Sequence, residues 1–371
     1  MPDEGDAEFG VNSPAGWERI RDALEGGQNL SRVDAAWFAQ SVYAGDAPTD
    51  AVTDVLARLH HKGETADEVA GILDVLLSKT TPVRVDGDHI DIVGTGGDGH
   101  HSVNVSTMAA IVCAATGAAV VKHGNRAATS TTGSADVLEA LGVAIDLSAA
   151  AVEECLRRVG IAFCFAPIFH SSMRHVAAVR KSLSHPTVFN LIGPLANPSQ
   201  PTAMLVGCAD EQRAPLMAQV LSQRGAYALV VRGVDGLDEV STAAPTRVWA
   251  PNGGTYDIDV RELGIGAAPA RALAGGDAQF NADVVRQVLA PVGTLVPMPD
   301  VNIEAIRECV VANAAMALVA GDRAGADANQ CSEALARNLE SVRAVLSDGR
   351  AALLLERWVK ESQRCQTPDL A

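Results

Sequence analysis

Three stretches of the 371-residue sequence carry residue types that can do chemistry. The first is GTGGDG, Gly94 to Gly99. The second is KHGNRAATSTTGSAD, Lys122 to Asp136. The third is the acidic pair Asp238-Glu239 in DGLDEVS. Glycines let backbone N–H groups approach an anion closely. Ser106 and Thr107 open a predicted helix, whose N-terminal N–H groups favour phosphate. Lys122 ends the apolar run AAVV, and a cation at the carboxyl end of a parallel strand faces the crevice where such folds hold ligands. Adjacent acids are common and usually solvated. Beside two phosphate loops, Asp238 and Glu239 read instead as hard oxygen ligands for Mg2+, which binds through one or two carboxylates plus substrate phosphates.

GTGGDG also fits the dinucleotide pattern G-x-G-x-x-G, which has three contextual requirements. A strand must precede it, and Ile90 to Val93 supplies one. A helix must open inside the glycines, whereas here it opens after HHSVNV. An acid must follow about twenty residues on to hold the ribose hydroxyls. No Asp or Glu occurs between Gly99 and Asp136, in a chain with 45 acidic residues. Two requirements fail, so the glycines serve another phosphate. The acid-free gap carries Lys122, Arg126 and three histidines. Two loops of this kind after neighbouring strands read either as anion-binding loops for a ligand with two phosphate groups or as two ordinary polar βα loops. His123 is equally readable as a packed ring or as a site residue.

These loops need a scaffold. Residues 1–13, beginning MPDEGDAEFG, read as a disordered acidic tail. Residues 14–86 read as a small all-helical domain. Ser31 with Asp34, and Thr65 with Glu68, mark two helix starts. Val69, Ile72, Leu73, Leu76 and Leu77 share one helical face. From residue 87 to 371 the grammar is α/β. The runs DIV, AAVV, IAFCF, AMLVG and AYALVVRG alternate with Ala-rich helical runs, predicting a mostly parallel, buried central sheet. VWAPNGGTYDI adds antiparallel strands, and the chain is mainly helical after about residue 278.

The formal net charge is −16. A general nucleic-acid surface is excluded, because phosphate backbones need a basic stripe. No apolar run of about 18 residues occurs, so no spanning helix is expected. The seven cysteines are odd in number, lack a C-x-x-C pair and often sit in apolar runs. They read as idle thiols in a reducing cytoplasm.

Six ordered motifs, GTGGDGHHSVNVST, KHGNRAATSTTGSADVLEALG, FCFAPIFHSSMRHVAAVRKSL, PTVFNLIGPLANP, DGLDEVS and GGDAQFNA, resemble the anthranilate phosphoribosyltransferase family over about residues 15–360. The resemblance implies a helical domain beside a large α/β domain, and a homodimer formed through the helical one. A helical insertion near 171–187 is expected to pack on that domain. The implied reaction joins anthranilate to phosphoribosyl pyrophosphate with magnesium, releasing pyrophosphate, in tryptophan biosynthesis.

Carried over by motif, Gly94, Gly97 and Asp98 line the pyrophosphate and ribose. Ser102, Asn104, Val105, Ser106 and Thr107 meet phosphate, and Ser106 also meets magnesium. Lys122, His123, Gly124, Asn125, Arg126, Ala127, Ala128, Thr129, Ser130 and Ser134 hold the rest of the phosphorylated ribose. Gly94, Asn125 and Arg180 meet anthranilate, with His123, His170 and the turn Gly193-Pro194 nearby. Asp238 and Glu239 hold magnesium. No general base is assigned; Lys122 and Arg126 lend electrostatic support. Ser102 and Thr129 exchange the family's usual Thr and Ser. Ser171 stands where Pro is common, and Met173 where Tyr occurs. The nearest rivals are a pyrimidine nucleoside phosphorylase, which needs no paired carboxylates for pyrophosphate, and a non-catalytic phosphosugar sensor.

Overall fold

Four helices lie between Pro14 and Ser78. The computed structural model describes residues 10–127, 131–291, 293–294 and 298–366. Along the chain lie α1 (Pro14–Glu25), α2 (Arg32–Ala44), α3 (Thr49–Lys62), α4 (Ala66–Ser78), β1 (Ile90–Gly94), α5 (Val105–Ala115), β2 (Val120–Gly124), α6 (Ser134–Leu141), α7 (Ala149–Val159) and β3 (Ile161–Phe165). There follow α8 (Ala166–Phe169), α9 (Arg174–Ser182), α10 (Val188–Leu195), β4 (Ala203–Gly207), α11 (Ala214–Gln223), β5 (Tyr227–Gly233), β6 (Thr246–Trp249) and β7 (Thr255–Ile258). The chain ends in α12 (Ala278–Leu289), α13 (Ile303–Gly321), α14 (Ala328–Ser347) and α15 (Arg350–Gln366). No helix among the described residues is long and apolar enough to cross a membrane.

The chain forms two compact units. One comprises the residues up to Thr80 with His170–Ala196; the other comprises Thr81–Phe169 and Asn197 onward. In the helical unit, Ser31 Oγ accepts the Asp34 N–H at 3.1 Å and so starts α2. Thr65 and Glu68 form the expected capping box at α4. Glu68 is fully buried, because its carboxylate also accepts the Leu30 N–H at 2.8 Å and pairs with Lys62 at 3.0 Å. A buried carboxylate is tolerable only when its oxygens are satisfied in this way.

In the α/β unit, seven strands run in the order β3-β2-β1-β4-β5-β6-β7. The first five are mutually parallel, and β6 and β7 continue antiparallel, as the sequence predicts. β-Branched runs make these strands because both faces are covered: Val120, Val121, Ala162, Leu205 and Val230 are all buried. Helices α5 and α13 are buried along nearly their whole length and are correspondingly Ala- and Val-rich. The strand order reverses at β1, with β2 on one side and β4 on the other. Ligands of open α/β sheets bind beyond the carboxyl ends of strands at such a switch point. GTGGDG leaves β1 there.

Candidate active site

The first loop is built on glycines that admit other groups. A Cβ on Gly94 would lie 2.7 Å from Asp238 Oδ2, and one on Gly207 would lie 1.6 Å from the Asp238 carbonyl oxygen. Bare backbone at the ends of β1 and β4 therefore lets the segment after β5 close over them. Gly97 follows with φ +79°, a left-handed conformation that glycine takes without strain. Asp98 Oδ1 accepts the His100 N–H at 3.0 Å, and Asp98 Oδ2 lies 3.5 Å from the Asp238 N–H. The loop is then pinned by a segment remote in sequence. Ser102 bridges to Ala274, and the Val103 N–H donates to the Leu273 carbonyl at 2.8 Å.

Helix α5 starts at Val105, with Asn104 as an N-cap whose side chain makes no cap bond. Asn104 is committed elsewhere. Its Nδ2 donates to the Thr132 carbonyl at 3.1 Å and its Oδ1 accepts from Asn281 Nδ2 at 3.0 Å. Asn104 thus ties the two loops to the GGDAQFNA motif rather than presenting an open amide. The Ser106 N–H bears on the Glu239 carboxylate and favours its ionised form, and Ser106 Oγ accepts from Lys122 Nζ at 3.2 Å. Thr107 Oγ1 is buried without a hydrogen-bond partner.

Lys122 is 1% exposed. Burial pulls its ammonium below the usual lysine range, opposed by the charges of Asp91 and Glu239. Asp238 and Glu239 are both buried, and burial pushes both carboxyls up. Their mutual repulsion and Asp98 push Asp238 further in the same direction. For Glu239, Lys122 opposes the rise and Asp98 adds to it. Asp91 and Glu239 thus act on the Lys122 ammonium, while Asp98 adds its repulsion to Asp238 and Glu239. Among the described residues no three His, Cys, Asp or Glu side chains form a self-sufficient metal site. A hard divalent cation completing its shell with substrate phosphates fits this donor set, since it would supply the missing positive charge.

The second loop leaves β2 at Gly124, where a Cβ would lie 2.2 Å from Ser134 Oγ. Ser134 opens α6 as expected. Asn125 Oδ1 accepts the Arg126 N–H at 2.7 Å, and its carbonyl accepts the Ala135 N–H at 3.2 Å. Asp136, which the sequence reading left unassigned, organises this loop. Its Oδ2 accepts the N–H groups of Ala127 at 3.0 Å and Gly133 at 2.9 Å. Arg126 is drawn to Asp136 at 2.9 Å and Glu139 at 2.8 Å, over the Phe165 ring. Ala128, Thr129 and Ser130 lie outside the described residues. His123 is 3% exposed, buried as Lys122, Asp238 and Glu239 are.

The remaining expected residues sit in the helical unit. His170 shares a 2.9 Å hydrogen bond between its Nδ1 and Thr80 Oγ1, and burial lowers its imidazole to about 4. Arg180 is half-buried on α9, where desolvation lowers its guanidinium and Tyr43 of α2 partly opposes the shift. Gly193 and Pro194 do not form the expected turn. Both lie inside α10, whose Thr187-Asn190 capping box starts a helix short enough to admit a late proline.

Asn281, Thr132, Asp136, Asp91 and Asn197 escaped the sequence reading. Asn281 lies in GGDAQFNA, a quoted motif without an assigned task. Asp136 is the acid that ends the acid-free gap, which is the one signal that could have marked it.

The fold and site define a transferase of the glycosyl transferase family. That family's a/b-domain model matches residues 86–352, and its helical bundle domain model matches residues 18–80. An anthranilate phosphoribosyltransferase from Saccharopolyspora erythraea is 47% identical over 93% of this chain and 96% of its own length. One from Nocardioides is 45% identical over 94% and 99%. The crystal structure of anthranilate phosphoribosyltransferase from Thermus thermophilus superposes with TM-score 0.83 at 36% identity, over 93% of this chain and 99% of that one. The Saccharomyces cerevisiae enzyme in complex with PRPP and Mg matches with TM-score 0.83 at 25% identity, over 95% and 99%. The chain belongs to the anthranilate phosphoribosyltransferase family.

Proposed function

We propose that this chain transfers the phosphoribosyl group of 5-phosphoribosyl 1-pyrophosphate to the amine of anthranilate, giving N-(5-phosphoribosyl)anthranilate and pyrophosphate in tryptophan biosynthesis. The observation that carries the reading is the convergence of GTGGDG, the α5 N-terminus and Lys122 on the buried pair Asp238-Glu239. The C1–oxygen bond to pyrophosphate breaks, a C1–nitrogen bond forms, and the amine proton leaves to solvent. Positive charge builds on the sugar and negative charge on the leaving group, so positioning and electrostatic stabilisation dominate.

In this reading Gly94, Gly97 and Asp98 line the pyrophosphate side of the donor. The free backbone N–H groups of the first loop, Ser102, Ser106 and Thr107 take phosphate oxygens. Lys122 stabilises the departing charge, and the second loop from His123 to Ser134 holds the rest of the donor. Asp238, Glu239 and Ser106 would hold Mg2+, which when bound neutralises pyrophosphate charge. Arg180 offers a guanidinium to the anthranilate carboxylate, with Asn125, His170, Gly193 and Pro194 as its companions. The anthranilate amine is an aniline with its lone pair free at neutral pH, so no protein base is required. We further propose a cytoplasmic homodimer. The seven free cysteines, six of them buried, suit a reducing compartment.

The test is loss of anthranilate fluorescence on mixing protein, anthranilate, phosphoribosyl pyrophosphate and magnesium, with each omitted in turn. Loss that requires all four supports the reaction. No loss with folded protein, and no pyrophosphate released with related amines, would remove it in favour of a phosphosugar sensor.

A further inference from the structure

Strands β1 and β2 are neighbours, yet only Ile90 and Val120 pair in register. The β1–β4 and β2–β3 ladders each carry five pairs. In a parallel ladder the next residue of β1 facing β2, Ile92, would donate to the Val121 carbonyl and accept from the His123 N–H. Neither bond forms. The Val121 carbonyl instead accepts from Asn197 Nδ2 at 2.8 Å. The His123 N–H donates to Asp91 Oδ1 at 3.2 Å. The Ile92 carbonyl accepts from Lys122 Nζ, and the Ile92 N–H bears on the Asp91 carboxylate. Asn197 Nδ2 and Asp91 Oδ2, 2.9 Å apart, close the insert. Asn197 is itself held, because its Oδ1 accepts the Ser199 N–H at 2.9 Å and the Ser199 hydroxyl at 2.8 Å.

One full step of the ladder has been exchanged for side chains. Asp91 is fully buried and Asn197 is 1% exposed, so both are placed where an apolar residue would ordinarily sit. A short apolar side chain at 91 would let the strands zip. The inserted pair lies just below the points where the two loops leave, Gly94 on β1 and Gly124 on β2.

We propose that Asp91 and Asn197 form a wedge that holds β1 and β2 apart and so sets the spacing of the two phosphate-binding loops. They are positioning residues: neither touches the donor, and both act through Lys122, His123 and the loop ends. The proposal rests on the phosphoribosyl-transfer reading above.

The test separates stability from donor binding. Asp91→Val supplies a β-branched side chain that suits a closed ladder. Asn197→Ser removes the bridge more gently. Affinity for pyrophosphate with Mg2+ is measured by calorimetry, and KM is measured separately for phosphoribosyl pyrophosphate and anthranilate. The wedge predicts that Asp91→Val stays folded while KM for phosphoribosyl pyrophosphate and the pyrophosphate Kd rise at least tenfold. KM for anthranilate stays within twofold. Asn197→Ser shifts the same two quantities in the same direction by a smaller factor. Folded variants that bind pyrophosphate like the parent overturn the wedge. Loss of fold in both variants also overturns it, since the pair would then serve the core and not the spacing. A parent protein that fails to bind the donor at all would sink the transfer reading instead, which the variants cannot mimic.

Discussion

Asp238 Oδ2 accepts the Gly96 N–H at 2.7 Å, so the buried acid pair and the first glycine loop are one mechanical unit. The carboxylate that would hold magnesium also fixes the loop that would hold pyrophosphate. Charge and loop position are therefore set together, in a pocket where burial and repulsion disfavour the ionised acids. A divalent cation bound there would offset that repulsion.

That arrangement fixes the outcome of Asp238→Asn. The neutral amide still accepts the Gly96 N–H but removes a buried charge. Because the folded-state pKa of Asp238 is raised, its ionised form opposes folding at neutral pH. The variant should melt at or above the parent temperature. Its turnover should fall by about 100-fold or more, by analogy with a lost transition-state donor. Thermal melts and turnover across a magnesium titration check both halves. Parent-like turnover with a parent-like magnesium requirement would refute the metal role.

Gly94 and Gly207 both border Asp238 but face different atoms of it. A methyl on Gly94 meets the movable carboxylate end at 2.7 Å, whereas one on Gly207 meets the main-chain carbonyl at 1.6 Å. Gly94→Ala should fold and lose donor affinity, because Oδ2 can rotate away from the Gly96 N–H. Gly207→Ala cannot relax without moving backbone and should lose about 3 kcal/mol or more of stability, on the scale of severe core overpacking. Chemical denaturation and donor KM, measured on both, distinguish the two modes.

Much of this was legible in the sequence, for identifiable reasons. Strands such as Ile161–Phe165 and Ala203–Gly207 are short β-branched or apolar runs bounded by turns. The caps at Ser31 and Thr65 follow local rules. The loops announced themselves through glycine and the missing acids. What stayed hidden is non-local. Asp91 reads as an odd polar residue in a strand, and its partner Asn197 is 106 positions away. The Asn104–Asn281 bond spans 177 positions. Gly193-Pro194 misled because proline normally ends a helix, yet here it falls in the last turn, with Pro194 one residue before the end of α10.

Asp136 and Arg126 offer a graded test of the second loop. Asp136 accepts two backbone N–H groups as well as the guanidinium, whereas Arg126 makes half-exposed ion pairs. Exposed pairs contribute about 1 kcal/mol or less. Asp136→Ala leaves two N–H groups of the loop without their acceptor. It should raise donor KM by about tenfold, corresponding to roughly one lost charge-assisted hydrogen bond. Arg126→Ala should move donor KM less if the arginine serves mainly as a brace. A larger effect for Arg126→Ala would show that its charge reaches the donor directly.

His170 makes the helical unit acid-sensitive. Its folded-state value is lowered to about 4 by burial, against an ordinary value of about 6.5. Above pH 6.5 both folded and unfolded states carry the neutral ring, and there is no difference between them. Between about 6.5 and 4 the unfolded chain takes up a proton that the folded ring refuses, so stability falls as pH falls. The full loss is about 3 kcal/mol at 1.36 kcal/mol per unit. Asp91 acts with the opposite sign over part of this window. Burial raises it to about 6, so the folded state gains from its protonation as pH drops below 6. A bare stability–pH curve therefore mixes the imidazole with Asp91, Asp238, Glu239 and every other group whose value is shifted in this window. The difference between parent and His170→Asn isolates the imidazole, because the other groups are common to both. That difference should be flat above pH 6.5 and should shrink in the parent's disfavour towards pH 4. Denaturation of both proteins at half-unit pH steps checks it. A constant difference down to pH 4 would mean that His170 titrates alike in the folded and unfolded chain.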